Sequence, residues 1–362
     1  MLCSVIVVSP GETMVSGPGR RYRTPLAVVV IALGLIGRTA SAEETRFFRI
    51  GAAATAGSFF EIGGVLASAI SKPANSLPCE QGGSCGIPGL VAVAQATQGS
   101  VENLRMVISD QIESGIAQSD VVSWAYAGTG IFAGETPMRG LRAIASLFPE
   151  SLHLVVPAAG SIETLADLKG KRISLGQPES GTLVDARLVL AAAGLSESDV
   201  QPEYLRSGTA ASNMADGMIE GFFLIGGVPI PAIRALAATM PVRLVPIGDE
   251  VFSKMQEKYG PYHRSIIPAD TYPGVSVATS TVGFHALWVV SVDAPDDLIY
   301  EITKTLWNGA TQRLLKAHDP IGRHVRLEDA LAGLSVPLHP GAQRFYRDAG
   351  LFLNDNAPGS KP

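Results

Sequence analysis

The sequence predicts an α/β protein built as two lobes, and three observations carry that prediction. Short apolar runs alternate with segments of helical periodicity along most of the chain, a pattern that implies mostly parallel sheet covered on both faces. A length of 362 residues allows two compact domains, and 46% hydrophobic residues supply a core for each. The 39 Gly and 24 Pro are scattered without a period, as many tight strand-to-helix connections require and as a collagen-like chain would not show. No internal repeat is evident.

The chain opens with a segment that reads as an export signal. Arg20, Arg21 and Arg23 precede an apolar run from Leu26 to Gly37, and Ala40-Ser41-Ala42 follows with the small-x-small pattern of a cleavage site after Ala42. An apolar stretch this short falls well below the roughly 20 residues of a membrane-spanning helix. With Lys+Arg 28 and Asp+Glu 33 the net charge is −5; removing residues 1–42 takes out four Arg and one Glu and leaves −8. The acidic balance offers no basis for nucleic acid or an acidic membrane surface as partner. Cys79 and Cys85 are the two cysteines left after such cleavage, and the Gly-rich turn between them lets them close a small disulfide loop in an oxidising compartment. A metal site or redox pair is the competing reading, without a nearby His or Cys-x-x-Cys spacing to support it.

Along the remaining chain, Arg46 to Gly51 reads as a strand, Ala52 to Ser58 as a small-residue turn, and Phe59 to Ile70 as a helix with an apolar stripe. Leu90 to Gln95 is a strand, Ser100 to Ser109 a helix and Ser114 to Gln118 a strand. Ser119 and Asp120 are expected to open the helix Val121 to Ala127, since both types accept from free N–H groups at a helix start. Two strands follow, at Leu141 to Ser146 and Leu152 to Val156. Thr164 to Gly170 is a short helix stopped by Gly, and Arg172 to Leu175 a strand. Ser180-Gly181-Thr182 open a helix closing at Gly194. Gly221 to Ile225 is a buried strand leading into Gly226-Gly227-Val228-Pro229, and Val242 to Ile247 is another. A long apolar strand, Val282 to Val292, precedes one helix from Pro295 to Leu315. The chain therefore crosses between lobes near Leu152 to Val156 and again near Gly283 to Val290, and His318 to Pro362 has mixed helical and loop character.

Common catalytic signatures are missing from the sequence. It holds no His-Glu-x-x-His, no P-loop and no Gly-x-Gly-x-x-Gly after a strand. The one Gly-x-Ser-x-Gly match, Gly82 to Gly86, sits inside the cysteine loop, whereas a nucleophile elbow joins a strand to a helix. The six His, at 153, 263, 285, 318, 324 and 339, show no ligand spacing. The chain is therefore expected to be no enzyme and to need no metal or cofactor. Several strand-to-helix turns rich in Gly, Ser and Thr stand out instead. Each alone is an ordinary tight turn, but several spread over two lobes suggest a shared cleft at the carboxyl ends of strands, where helix starts favour anions.

In their order and spacing, these segments resemble the TAXI-type solute-binding proteins of TRAP transporters. The resemblance rests on Ile50-Gly51 through Thr55, Gly57 to Phe60 and Ile62 to Gly64, on Gly99 to Leu104 with Gln118-Ser119-Asp120, and on Leu165 to Arg172. Ser180-Gly181-Thr182, Gly226 to Pro229, Ile267 to Ala269 and Thr271 to Gly274 extend it. It implies a type II periplasmic binding fold, two doubly wound α/β lobes joined by a hinge, with residues 43–154 plus 285–362 in lobe 1 and 155–284 in lobe 2. It further implies a monomeric periplasmic receptor that takes a small organic acid or amino acid and delivers it to TRAP membrane subunits; a receptor for an ABC importer or a sensor is the alternative within the fold. Carried over by motif, the cleft residues are Thr55, Gly57, Ser58, Phe59, Gln118, Ser119, Ser180, Gly181, Thr182, Gly226 and Gly227. With no arginine in the motifs that supply these cleft residues, a ligand carboxylate is expected to be held by neutral donors at the 180–182 helix start, faced by Gln118 and Ser119. Ala53, Ala54 and Ala56 stand where the family has glycines, and Glu61 where proline is common.

Overall fold

The computed structural model describes residues 45–351 except 261 and 319, all within one compact unit that spans Glu43–Pro362. The expected export signal lies outside the described residues. The first elements are β1 (Arg46–Gly51), α1 (Ser58–Ile70), β2 (Ser71–Lys72), β3 (Ile87–Pro88), β4 (Leu90–Gln95), α2 (Ser100–Ile108), β5 (Ser114–Gln118) and α3 (Ser119–Ala127). After β6 (Leu141–Pro157) come β7 (Arg172–Ser174), α4 (Gly181–Ala192), β8 (Gln201–Glu203), α5 (Ser207–Ala215), β9 (Gly221–Gly226), α6 (Pro231–Ala237), β10 (Val242–Leu244), α7 (Asp249–Tyr259) and β11 (His263–Ile267). The chain closes through β12 (Thr279–Ser291), α8 (Asp296–Leu306), α9 (Gly309–His318) and α10 (Pro340–Asp348).

The main sheet has the order β4-β1-β5-β12-β6-β9-β7-β8, with β10 added along β6 and β11 along β12. Parallel pairing, expected for most of the sheet, holds at its two ends: β1 with β4 and β5, and β7 with β8 and β9. The middle is antiparallel, because β6 carries the chain out of the first region and β12 brings it back, so neighbours there run in opposite directions. Both strands are longer than expected. Leu141–Ser146 and Leu152–Val156 are the ends of one 17-residue strand. Pro149 lies opposite His285 and is the one exposed residue of β6, a position where a missing N–H leaves no buried carbonyl unpaired. The expected boundaries at 154/155 and 284/285 fall inside these two strands.

Two other departures have local causes. The helix expected over Pro295–Leu315 is two helices, because the Asn308 Oδ1 accepts from the Thr311 N–H at 2.8 Å and starts a new helix where the old one ends. The helix after β5 begins at Ser119 itself, with Gln118 at the cap and no side-chain cap bond; the Ser119 hydroxyl accepts instead from the His285 N–H at 3.2 Å.

Helix α1 buries Ile62, Leu66 and Ile70 against Ile50 of β1 and Trp288 of β12. Each such side chain, fully buried, contributes about 1.5–3 kcal/mol. A second cluster packs Val155, Phe222 and Ile233 around Tyr272. A third runs through both regions, linking Leu104, Val121 and Leu287 to Leu154, Leu183 and Phe223. Cys79 and Cys85 form a disulfide with Cα atoms 4.8 Å apart, and the Gly-x-Ser-x-Gly match overlaps the end of that loop. Closing so short a loop should stabilise the fold by about 2 kcal/mol. Urea unfolding of oxidised Cys79→Ser protein against oxidised wild type should show a lower midpoint with an unchanged slope; equal midpoints would contradict a stabilising staple.

Candidate functional site

Five helix starts converge on one cavity of about 60 Å³. From the first region come Gly57 and Ser58 of α1, Gly99 and Ser100 of α2, and Gln118 ahead of α3; from the second come Ser180, Gly181 and Thr182 of α4 and Ser207 of α5. All of these helices follow strands of the one sheet, so their starts gather at its carboxyl ends. The first N–H groups of each helix have no carbonyl one turn back to bond.

Buried Asn103 fixes the first-region turns. Its Nδ2 donates to the Ala52 carbonyl at 2.7 Å and the Ile116 carbonyl at 2.8 Å, while its Oδ1 accepts from the Thr97 hydroxyl at 2.7 Å. Ala53, Ala54 and Ala56 occupy their turn without positive φ; among the described residues the non-glycine positions with positive φ are Asn75, Asp110, Glu179 and Asp270. The extra methyls therefore cause no backbone strain, and Ala53 and Ala54 add apolar surface to the cavity.

The two regions meet directly over the cavity. The Glu179 carbonyl accepts from the Val101 and Glu102 N–H groups at 3.1 and 3.4 Å, and Arg105 bonds the Glu179 carboxylate at 2.7 Å. Gln177 Nε2 donates to the carbonyls of Thr97 and Gln98. On the other side the Ser58 hydroxyl accepts from the Gly227 N–H at 3.1 Å. These approaches require glycine: a Cβ on Gly181 would overlap Gln118 Oε1, and Gly99, at φ +123°, lies against the Ser180 backbone.

An acidic group lies at the floor and behind it. Glu150 of β6 lines the cavity, is 1% exposed, and neither carboxylate oxygen has a hydrogen-bond partner. Burial, with the nearby Asp120, pushes its carboxyl well above the usual range. Behind Gln118, Asp185 accepts from Gln118 Nε2 at 2.9 Å and from the Tyr262 hydroxyl at 3.3 Å. Burial raises Asp120 to about 6 and Asp185 further, the latter also through the charge of Asp120. A proton held on Asp185 adds a side-chain donor for Asp120, which otherwise faces the backbone N–H groups of Val121 and of Asp120 itself.

Of the residues expected from sequence, Gly57, Ser58, Phe59, Gln118, Ser180, Gly181 and Thr182 line the cavity, whereas Thr55, Ser119, Gly226 and Gly227 lie outside its lining. Thr55 is exposed, and Ser119 is taken up by the His285 N–H. The Thr182 hydroxyl accepts from the Ile225 N–H at 3.2 Å and the Ser180 hydroxyl from the Leu183 N–H at 3.1 Å, so both hydroxyls already serve the fold. Sequence reasoning missed Glu150, Gln177 and Ser207. Glu150 had a usable signal, a single charge within the apolar run from Leu141 to Val156 that Arg142 alone otherwise interrupts. Among the described residues no group of three His, Cys, Asp or Glu is arranged to hold a metal ion, and no helix is long and apolar enough to cross a membrane.

The profile of the NMT1-like family matches residues 50–350, and the chain belongs to that family. Similar solved structures include the alkanesulfonate-binding protein SsuA from Xanthomonas axonopodis pv. citri bound to MOPS, at 19% identity over 84% of each chain with a TM-score of 0.46. The periplasmic aliphatic sulphonate binding protein SsuA from Escherichia coli is 14% identical over 84% of each chain, TM-score 0.39. The ligand binding component of an ABC-type import system from Staphylococcus aureus with zinc bound is 10% identical over 87% of this chain and 94% of that one, TM-score 0.45.

The buried acids make stability depend on pH in a defined sense. A carboxyl raised in the folded state stabilises the acidic side; its contribution is complete below about pH 4 and is lost as pH rises through the folded value, about 6 for Asp120. His153 and His285, held down to about 4 by burial, act oppositely over roughly pH 4–6.5. The comparison to make is therefore Asp185→Asn against wild type at each pH. Asn keeps one oxygen to accept from Gln118 Nε2 and puts an NH2 donor in place of the other, toward the Tyr262 hydroxyl and Asp120, without a proton to lose. The variant's melting temperature should gain on wild type as pH rises from about 4 through about 6. A difference independent of pH would contradict the shared proton.

Proposed function

We propose that this member of the NMT1-like family is a periplasmic receptor that binds a small organic acid or amino acid in the cavity and delivers it to TRAP membrane subunits. The observation that carries the reading is the convergence of helix starts from two regions of one sheet on a single small cavity. In it, residues 43–154 with 285–362 form one lobe, 155–284 the other, and β6 and β12 the hinge between them. Solute enters with the lobes apart. Closure forms the Glu179, Gln177 and Ser58 contacts across the cleft, and a solute favours the closed state to the extent that it binds it more tightly. The polar contacts at the rim are few and its ion pair half exposed, so they hold the closed state weakly without solute.

The periplasmic setting is supported by the sequence of residues 20–42 and agrees with the Cys79–Cys85 disulfide. Delivery to TRAP subunits rests on the motif resemblance, and gene neighbourhood tests it. An adjacent fused TRAP permease gene is the expected finding; an adjacent ATPase and permease pair would assign the protein to an ABC importer. The chemistry is reversible binding. Solute at about 100 times its dissociation constant should stabilise the fold by roughly 2.7 kcal/mol and be recovered unchanged. Recovery of a converted product would overturn the receptor reading in favour of an enzyme.

A further inference from the structure

Most of the side-chain polar atoms left without partners in the cavity lining are acceptors. Both oxygens of Glu150 and Gln177 Oε1 are buried acceptors lacking donors, and the Ser207 hydroxyl is buried without a partner beside them in the lining. The orientation of Gln177 is set by its Nε2, which is committed to the carbonyls of Thr97 and Gln98, so its oxygen faces the remaining space. Glu150 is the only ionisable side chain lining the cavity among the described residues; no Lys, Arg or His is there to meet it. Buried acceptors without donors are costly, and a buried carboxylate without a counter-charge is more so. The fold keeps Glu150 on its central long strand, facing a cavity bounded elsewhere by small residues and helix starts.

We infer, resting on the receptor reading, that the cavity selects a small solute carrying a protonated amine, which donates to the Glu150 carboxylate and Gln177 Oε1. The helix starts at Gly181 and Ser58 would face an anionic or neutral oxygen at the other end of such a solute. A zwitterionic amino acid or a small amino alcohol satisfies both ends; a simple carboxylic acid leaves the Glu150 side unpaired and adds a like charge. The small cavity favours the smaller members of that class.

The test pairs each amine with its hydroxyl counterpart: glycine with glycolate, L-alanine with L-lactate, L-serine with glycerate, and ethanolamine with ethylene glycol. Titration calorimetry on wild-type protein should show an amine binding at least tenfold tighter than its partner. Glu150→Gln should weaken the amine at least tenfold and leave the hydroxyl compound unchanged, with its unfolding followed separately to show that the variant is folded. Hydroxyl compounds binding as tightly as amines would overturn the inference while leaving the receptor reading in place, as would amine binding indifferent to Glu150→Gln. If no pair binds, native mass spectrometry of gently purified protein decides: a retained compound with a basic nitrogen supports the inference and one without it overturns it. An empty cavity in both experiments overturns the receptor reading and the inference together.

Discussion

The pairing of β6 with β12 is the constraint on which the rest of the structure depends. These two strands run antiparallel through the middle of the main sheet, and every other strand of that sheet is placed on one side of them or the other. Because the chain leaves along one and returns along the other, the parallel βα units at each end of the sheet present their helix starts toward the same gap. Bound to these two strands, Glu150 and Pro149 sit where the strands pass from one set of neighbours to the next. A register slip of one residue would turn Glu150 away from the cavity and bring an apolar neighbour in.

The second constraint is electrostatic. Glu150, Asp120 and Asp185 are all buried, and the donors near them number few: Gln118 and Tyr262 serve Asp185, and none serves Glu150. A protein interior tolerates such groups by protonating them or by pairing them. Behind Gln118 the first route is open, since two carboxyls can share a proton. At Glu150 the second route is the one proposed, because the residue lines the cavity and its oxygens have no protein partner. The same three acids are the basis of both the predicted pH dependence of stability and the proposed preference among ligands.

Much of the fold was legible in the sequence because its signals were local. The strands Arg46–Gly51, Leu90–Gln95 and Ser114–Gln118 are bounded by small-residue turns and emerge with those limits, and Ser180 caps α4 as its type and position imply. The departures come where tertiary pairing overrides local punctuation. Two strands were expected around Pro149, yet it sits at an exposed position opposite His285, before the pairing with β9 begins, and the strand continues; Asn308 reads as one more helical residue, yet its side chain starts a new helix. At the site, several glycine-rich turns stood out in the sequence and lie in the cavity lining, where a Cβ at 181 would meet the Gln118 side chain and Gly99 takes a positive φ. The acceptors were not readable in the same way. Whether Gln177 spends its amide on backbone carbonyls, or Ser119 its hydroxyl on His285, depends on partners about 79 and 166 residues distant, which no local pattern reveals.

The central claim is that the cavity beneath the helix starts is a solute site with Glu150 as an anchoring acceptor. A crystal structure of protein purified without denaturation tests it most directly. The account predicts non-protein density bridging the Glu150 carboxylate and the N–H groups at the start of α4. Glu150 satisfied by a protein side chain, with the cavity closed up and nothing bound, would contradict it.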